Sequence, residues 1–129
     1  MKRIMYFGHP TNTYNTEMER MLIAKITRTF PECTVENPNQ EHHLVLVKRN
    51  GAEYYLSEVI LNCDIGIFLL FRDGTLDNDL FAQAKLFASR NNDPWVWTID
   101  HQGETRLVHT NSVRVLSEKE TRRRITQPY

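Results

Sequence analysis

Carboxylates and amides crowd one short stretch of this chain, Arg72-Asp73-Gly74-Thr75-Leu76-Asp77-Asn78-Asp79-Leu80-Phe81-Ala82-Gln83. Asp73, Asp77 and Asp79 stand ahead of a run with helical spacing, Leu80, Phe81, Ala84, Phe87 and Ala88. Carboxylates at a helix start complement its dipole. At the carboxyl end of a buried strand they can instead accept hydrogen bonds from sugar hydroxyls. The residue types alone leave those two readings even.

A second group of candidates follows the first apolar run. Gly8-His9-Pro10 ends it, and the polar loop Thr11-Asn12-Thr13-Tyr14-Asn15 comes next. Gly8 would let backbone approach a ligand closely at a strand-to-helix switch. His9 could serve as acid, base or ligand contact, although a lone loop histidine is more often simply solvated. Tyr14 could line a site with its ring or hydroxyl, and is equally explained as an exposed loop residue. Tyr6 reads as core or as a pocket wall. No dinucleotide fingerprint and no phosphate-gripping P-loop is present.

The elements that must position these residues are strands alternating with helices. Arg3 to Phe7 reads as a first strand. Thr16 and Glu19 form a capping box ahead of Met18, Met21, Leu22, Ile26 and Phe30. Cys33 to Glu36 is a short second strand. Residues 39–50 read as loop or short helix despite Leu44-Val45-Leu46-Val47, and Glu53 to Asn62 reads as helix. The unbroken run Ile65 to Phe71 has the character of a strand buried on both faces. Pro94 to Ile99 is a further strand, and His101 to Glu104 a turn. Arg106–His109 and Val113–Leu116 predict a hairpin or one late strand. Ser117 and Glu120 cap a last helix through Ile125. This alternation predicts a single α/β domain over 1–129, an open, five-stranded, mostly parallel sheet with helices on both faces, flavodoxin- or Rossmann-like. Ligands of such sheets bind beyond the carboxyl ends of the strands.

Composition narrows the partners. Of 129 residues 25% are charged and 40% apolar, and sixteen basic side chains balance sixteen acidic ones. That balance makes no electrostatic case for nucleic-acid or membrane binding. Arg122-Arg123-Arg124 falls at a helix end, where it complements the dipole. Cys33 and Cys63 are too few for a disulfide scaffold and lack metal-ligand spacing, so no metal is expected. No apolar run is long enough to span a bilayer, and MKRIMYFGHP is too soon broken for a signal peptide. A cytoplasmic protein without a cofactor is the expectation.

The span Asp73 to Gln83 resembles the motif of the nucleoside 2-deoxyribosyltransferase superfamily, which includes the nucleoside 5′-monophosphate N-glycosidases. Its flanks are similar too: a first strand ending in a Gly-Pro type turn, Val35-Glu36-Asn37-Pro38, Cys63-Asp64 before the buried strand, Pro94-Trp95-Val96, and Leu116 to Arg122 as closing helix. The resemblance implies cleavage of the N-glycosidic bond of a nucleoside or nucleotide, in a homodimer or higher homo-oligomer with sites near the interface. In that family a helix glutamate attacks the anomeric carbon, an aspartate six residues earlier holds sugar or base, and a tyrosine orients the nucleophile. A carboxylate there traps an oxocarbenium-like centre.

Carried onto this chain, the aspartate is Asp77 and the nucleophile position is Gln83. The family's glycine falls on Asp79 and its hydroxyl residue on Leu80. No glutamate lies between Glu58 and Glu104, so no slip of register restores one. Three accounts fit: a substitution introduced to trap substrate, a natural binder that lost the chemistry, or Asp79 acting as the carboxylate from the same helix face. The substrate-binding set implied is Gly8, His9, Pro10, Asn12, Tyr6, Asp73 and Gly74, with Tyr14 beside Asp77 and Gln83. Because Asp77 and Asp79 repel phosphate, His9, Asn12, Thr13 and Asn15 are the better phosphate or ribose contacts. The alternatives are a module that sequesters a nucleotide-derived small molecule, or a protein-interaction module using Trp95, Trp97 and Leu44–Val47.

Overall fold

A computed structural model of the chain describes residues 2–40 and 58–129. The expectations for Leu44–Val47 and for the start of the 53–62 helix lie outside these residues; residues 58–61 are helical. Five strands form one sheet: β1 (Arg3–Gly8), β2 (Cys33–Glu36), β3 (Ile65–Leu69), β4 (Trp95–Ile99) and β5 (Thr105–His109), in the order β2-β1-β3-β4-β5. The first four pair in parallel, and β5 closes the edge antiparallel to β4. Helix α1 (Glu17–Thr29) links β1 to β2, α2 (Asn78–Asn91) links β3 to β4, and α3 (Glu118–Ile125) follows β5. The mostly parallel α/β sheet matches the fold expected from the sequence.

Alternation along β1 divides the core. Met5 and Phe7 face α1 with Leu22, Ile26, Ile67 and Ile99, whereas Tyr6 joins Phe68, Leu80, Ala84 and Phe87 on the α2 side. Trp97 packs edge-on against Phe30, with ring centroids 5.0 Å apart, while Trp95 is exposed.

Three local expectations are corrected. The strand ends at Leu69 and its last bond to β4 is Leu70 N–H to Ile99 (3.0 Å), because Phe71 enters a turn in which its N–H donates to Thr75 (2.8 Å) and its carbonyl accepts from Gly74 (2.9 Å). Gly74 takes φ +84° there, a conformation favouring glycine. Residues 113–116 form no hairpin with β5. Instead Leu76 and Val115 make a parallel bridge, with Leu76 donating to Arg114 and Leu116 to Leu76 at 2.9 Å each. Met21 is exposed, and the inward stripe of α1 is Glu19, Leu22 and Ile26.

Candidate functional site

Both helices that flank the central strands carry one polar side chain in an otherwise apolar inward stripe: Glu19 on α1 and Gln83 on α2. Each falls on the three-and-four spacing of its buried neighbours, so periodicity places it against the sheet whatever its polarity. A buried polar group is costly unless paired. The two are satisfied very differently.

Glu19 sits in a network. Its carboxylate accepts from the Asn15 backbone N–H (3.2 Å) and from Asn39 Nδ2 (3.0 and 3.1 Å), and lies 3.5 Å from His9 Nε2. His9 is 3% exposed. Its Nδ1 is 2.8 Å from Thr13 Oγ1 and its Nε2 is 2.9 Å from Asn37 Oδ1. The ring stacks on Phe7 with centroids 4.3 Å apart, and Tyr14 tilts over its other neighbourhood at 4.8 Å. Burial pulls the imidazole below its ordinary value, opposed by the Asn37 hydrogen bond and the Glu19 charge. His9, expected as a ligand contact or a solvated loop residue, is a core group.

Tyr14 joins this network to the second loop. Its phenol is pushed up to about 12, first by burial and then by the charges of Glu19 and Asp77. It is therefore a neutral hydroxyl at ordinary pH. Asp77 is buried and caps α2: Oδ1 accepts from the N–H groups of Asp79 (2.7 Å) and Leu80 (3.2 Å). Burial raises its pKa, an effect reduced by those two bonds and reinforced by Asp79. Leu80 closes over the end of β1. A Cβ built on Gly8 would meet Phe68 Cδ1 at 2.6 Å and Leu80 Cδ2 at 3.2 Å, so only glycine fits without repacking.

Gln83 is 9% exposed, and its Oε1 has no hydrogen-bond partner among the described residues. Asp79, expected on the same face, is exposed, because the first turn of α2 directs it outward while Gln83 follows Leu80 inward.

The remaining candidates fall outside this cluster. Tyr6 is 2% exposed, with ring centroids 6.3 Å from Phe68 and 6.1 Å from Phe87, in the core. Asn12 turns toward the end of α3, where Nδ2 donates to the carbonyls of Arg124 (3.2 Å) and Gln127 (2.9 Å). Asp73 accepts from Arg124 at 2.8 Å and from Thr75 at 2.6 Å, and the guanidinium holds it well below the usual carboxylate range. Arg124 thus does more than complement a dipole. The first loop offers phosphate little: Thr13 is buried, Pro10 is buried with its carbonyl taken by Thr13, and the Asn15 side chain accepts from Asn39.

Sequence reasoning missed Glu19, Asn37 and Asn39. The signal for Glu19 was present in the spacing Glu19, Leu22, Ile26, but a capping assignment absorbed it. Thr16 does cap α1, accepting from Glu19 N–H at 3.1 Å; the Glu19 carboxylate bonds Asn15 instead of returning to Thr16. Asn37 and Asn39 come from 28 and 20 residues away and no local pattern marks them. No group of three His, Cys, Asp or Glu among the described residues is placed to hold a metal ion. No helix there is long and apolar enough to cross a membrane.

Fold and site together define an α/β, Rossmann-like sheet with a buried polar cluster at its carboxyl edge. The chain matches no protein-family model, no curated protein and no solved structure.

Proposed function

We propose that this protein binds a nucleoside or nucleotide beyond the carboxyl ends of β1 and β3, with the sugar held by Asp77 and Gln83 and covered by Tyr14. The observation that carries this reading is the buried, unpartnered Oε1 of Gln83 on the helix that Asp77 caps. A buried acceptor left without a donor costs about 1–3 kcal/mol. A ligand O–H or N–H would recover that. Asp77 and Oε1 are both acceptors, which suits a hydroxyl-bearing sugar. Asp79 is exposed and so is a poor substitute for the carboxylate of an N-glycosidase. Gln83, being neutral, neither attacks an anomeric carbon efficiently nor balances a cation. Binding is therefore the primary activity, with N-glycosidic cleavage expected once a carboxylate is restored. A homodimer completing the site is part of the same proposal.

The test is thermal unfolding across a panel of nucleosides and nucleoside monophosphates. At a hundred times its dissociation constant, a true ligand adds about 2.7 kcal/mol of stability. Gln83→Glu should release free base from that ligand. A flat response of the wild type to the whole panel overturns the reading.

A further inference from the structure

The hydrogen bonds around His9 accommodate two protonation states without moving a heavy atom. Asn39 N–H donates to Asn37 Oδ1 at 3.0 Å, which fixes that amide oxygen as an acceptor. His9 Nε2, 2.9 Å from the same oxygen, must then carry a hydrogen in either state. Nδ1 faces Thr13 Oγ1 at 2.8 Å, and that hydroxyl is also 2.6 Å from the Pro10 carbonyl. In the neutral ring the Thr13 hydroxyl donates to Nδ1. In the imidazolium Nδ1–H donates to Oγ1, and the hydroxyl turns to donate to Pro10. The Pro10 carbonyl also accepts from Thr13 N–H at 3.0 Å, so it is not orphaned when the hydroxyl turns away.

The surroundings suit a stored proton. From α1, Glu19 brings a carboxylate 3.5 Å from Nε2. From the loop after β1, Tyr14 brings a neutral ring at 4.8 Å, and from β1 itself Phe7 brings another at 4.3 Å. The residue after β2 that touches the imidazole, Asn37, is an uncharged amide. Against all of these stands burial, which favours the neutral ring. The imidazolium is thus reachable on acidification and not dominant at neutral pH. Once formed, it attracts the face of the Tyr14 ring.

We infer that His9 and Glu19 are a positioning pair for Tyr14, and that proton uptake at His9, accommodated by rotation of the Thr13 hydroxyl, tightens ligand binding at this site. This rests on Tyr14 belonging to the ligand site proposed above. His9 does not touch the ligand; its side chain is wholly buried and acts through the tyrosine ring.

The test has two arms. Imidazole resonances of His9 are followed by NMR against pH in the ligand-free protein, together with the Tyr14 ring. The expected result is a reversible titration, below the ordinary histidine range, with Nε2 protonated throughout and Tyr14 shifts tracking it. Glu19→Gln should weaken proton affinity about tenfold, as removing a facing opposite charge does. Thr13→Val should displace the midpoint and Thr13→Ser should restore it. In the second arm, the dissociation constant of the best nucleoside or nucleotide from the panel is measured against pH. Affinity should rise several-fold as His9 protonates, with the midpoint moved to lower pH in Glu19→Gln. An imidazole that never titrates before unfolding, or a dissociation constant that ignores the titration, overturns the inference while leaving ligand binding intact. A titration that moves Tyr14 in a protein binding none of the panel sustains the positioning pair and overturns the nucleoside reading.

Discussion

The two ends of the sheet are built from opposite materials. At the carboxyl end His9, Glu19, Asp77 and Gln83 are polar and buried. At the amino end Leu61, Trp95 and Leu107 are apolar and exposed, around a cavity of about 560 Å³. The amino end also holds polar groups, and two exposed ones serve the backbone. Asp64 accepts from Ile4 N–H at 2.7 Å, and Arg90 donates to the carbonyls of Ile60 and Asp64. Cys63 there is buried, and burial pushes its thiol up to about 12, so it stays a thiol at ordinary pH. Polar groups at the amino end close off strand and helix termini. At the carboxyl end the Asn12 Oδ1 and Gln83 Oε1 atoms are buried and have no hydrogen-bond partner among the described residues.

The largest effect should come from breaking the carboxyl-end network. Glu19→Ala removes the acceptor of the Asn15 N–H, leaves Asn39 Nδ2 only its bond to Asn15, and removes the charge facing His9. It should cost about 3 kcal/mol, read as a lower urea midpoint with unchanged slope. A loss below half of that would mean the network is only loosely coupled to folding.

A smaller effect, of distinctive sign, is expected at Asp77. Its folded pKa is raised from 3.8, so its protonated form is favoured by folding. The associated stability is present below the unfolded value and is lost as pH rises through the folded value. Asp77→Asn keeps an N-cap acceptor and removes the buried charge. Stability at neutral pH should hold or increase by about 1 kcal/mol or less, with a flatter pH profile at the acid end. Ligand binding should weaken, separating stability from function. Loss of stability comparable to Glu19→Ala would show that Asp77 serves the fold instead.

The smallest effect should come from the amino end. Leu61→Ser and Leu107→Ser, exposed by 64% and 50%, should each change stability by about 0.5 kcal/mol or less and leave any nucleotide-dependent thermal shift unaltered. A lost shift would transfer the site to the opposite end of the sheet.

Much of the fold was legible because its signals are local. The apolar run at Ile65 and the caps at Thr16 and Ser117 lie within a few residues of what they control. The site was legible in part. Asp77 stood out by type in a carboxylate-rich loop and Tyr14 by its place after a strand, whereas Gln83 was marked only by the motif resemblance. Asn12, Asp73 and Gly74 shared those loops but are turned toward the end of α3 or an arginine, which loop position does not encode.

Periodicity by itself determined which stripe of each helix faces the sheet, because the helical repeat is a property of the backbone and needs no partner. Whether Glu19 and Gln83, both riding inward on that repeat, would be paired was decided only by the tertiary structure. Asn39 arrives beside Glu19, and Asn37 beside His9, once β2 lies against β1, whereas no described residue donates to Gln83 Oε1. Hydrogen bonds reach only about 3 Å, so their making depends on where distant segments come to rest.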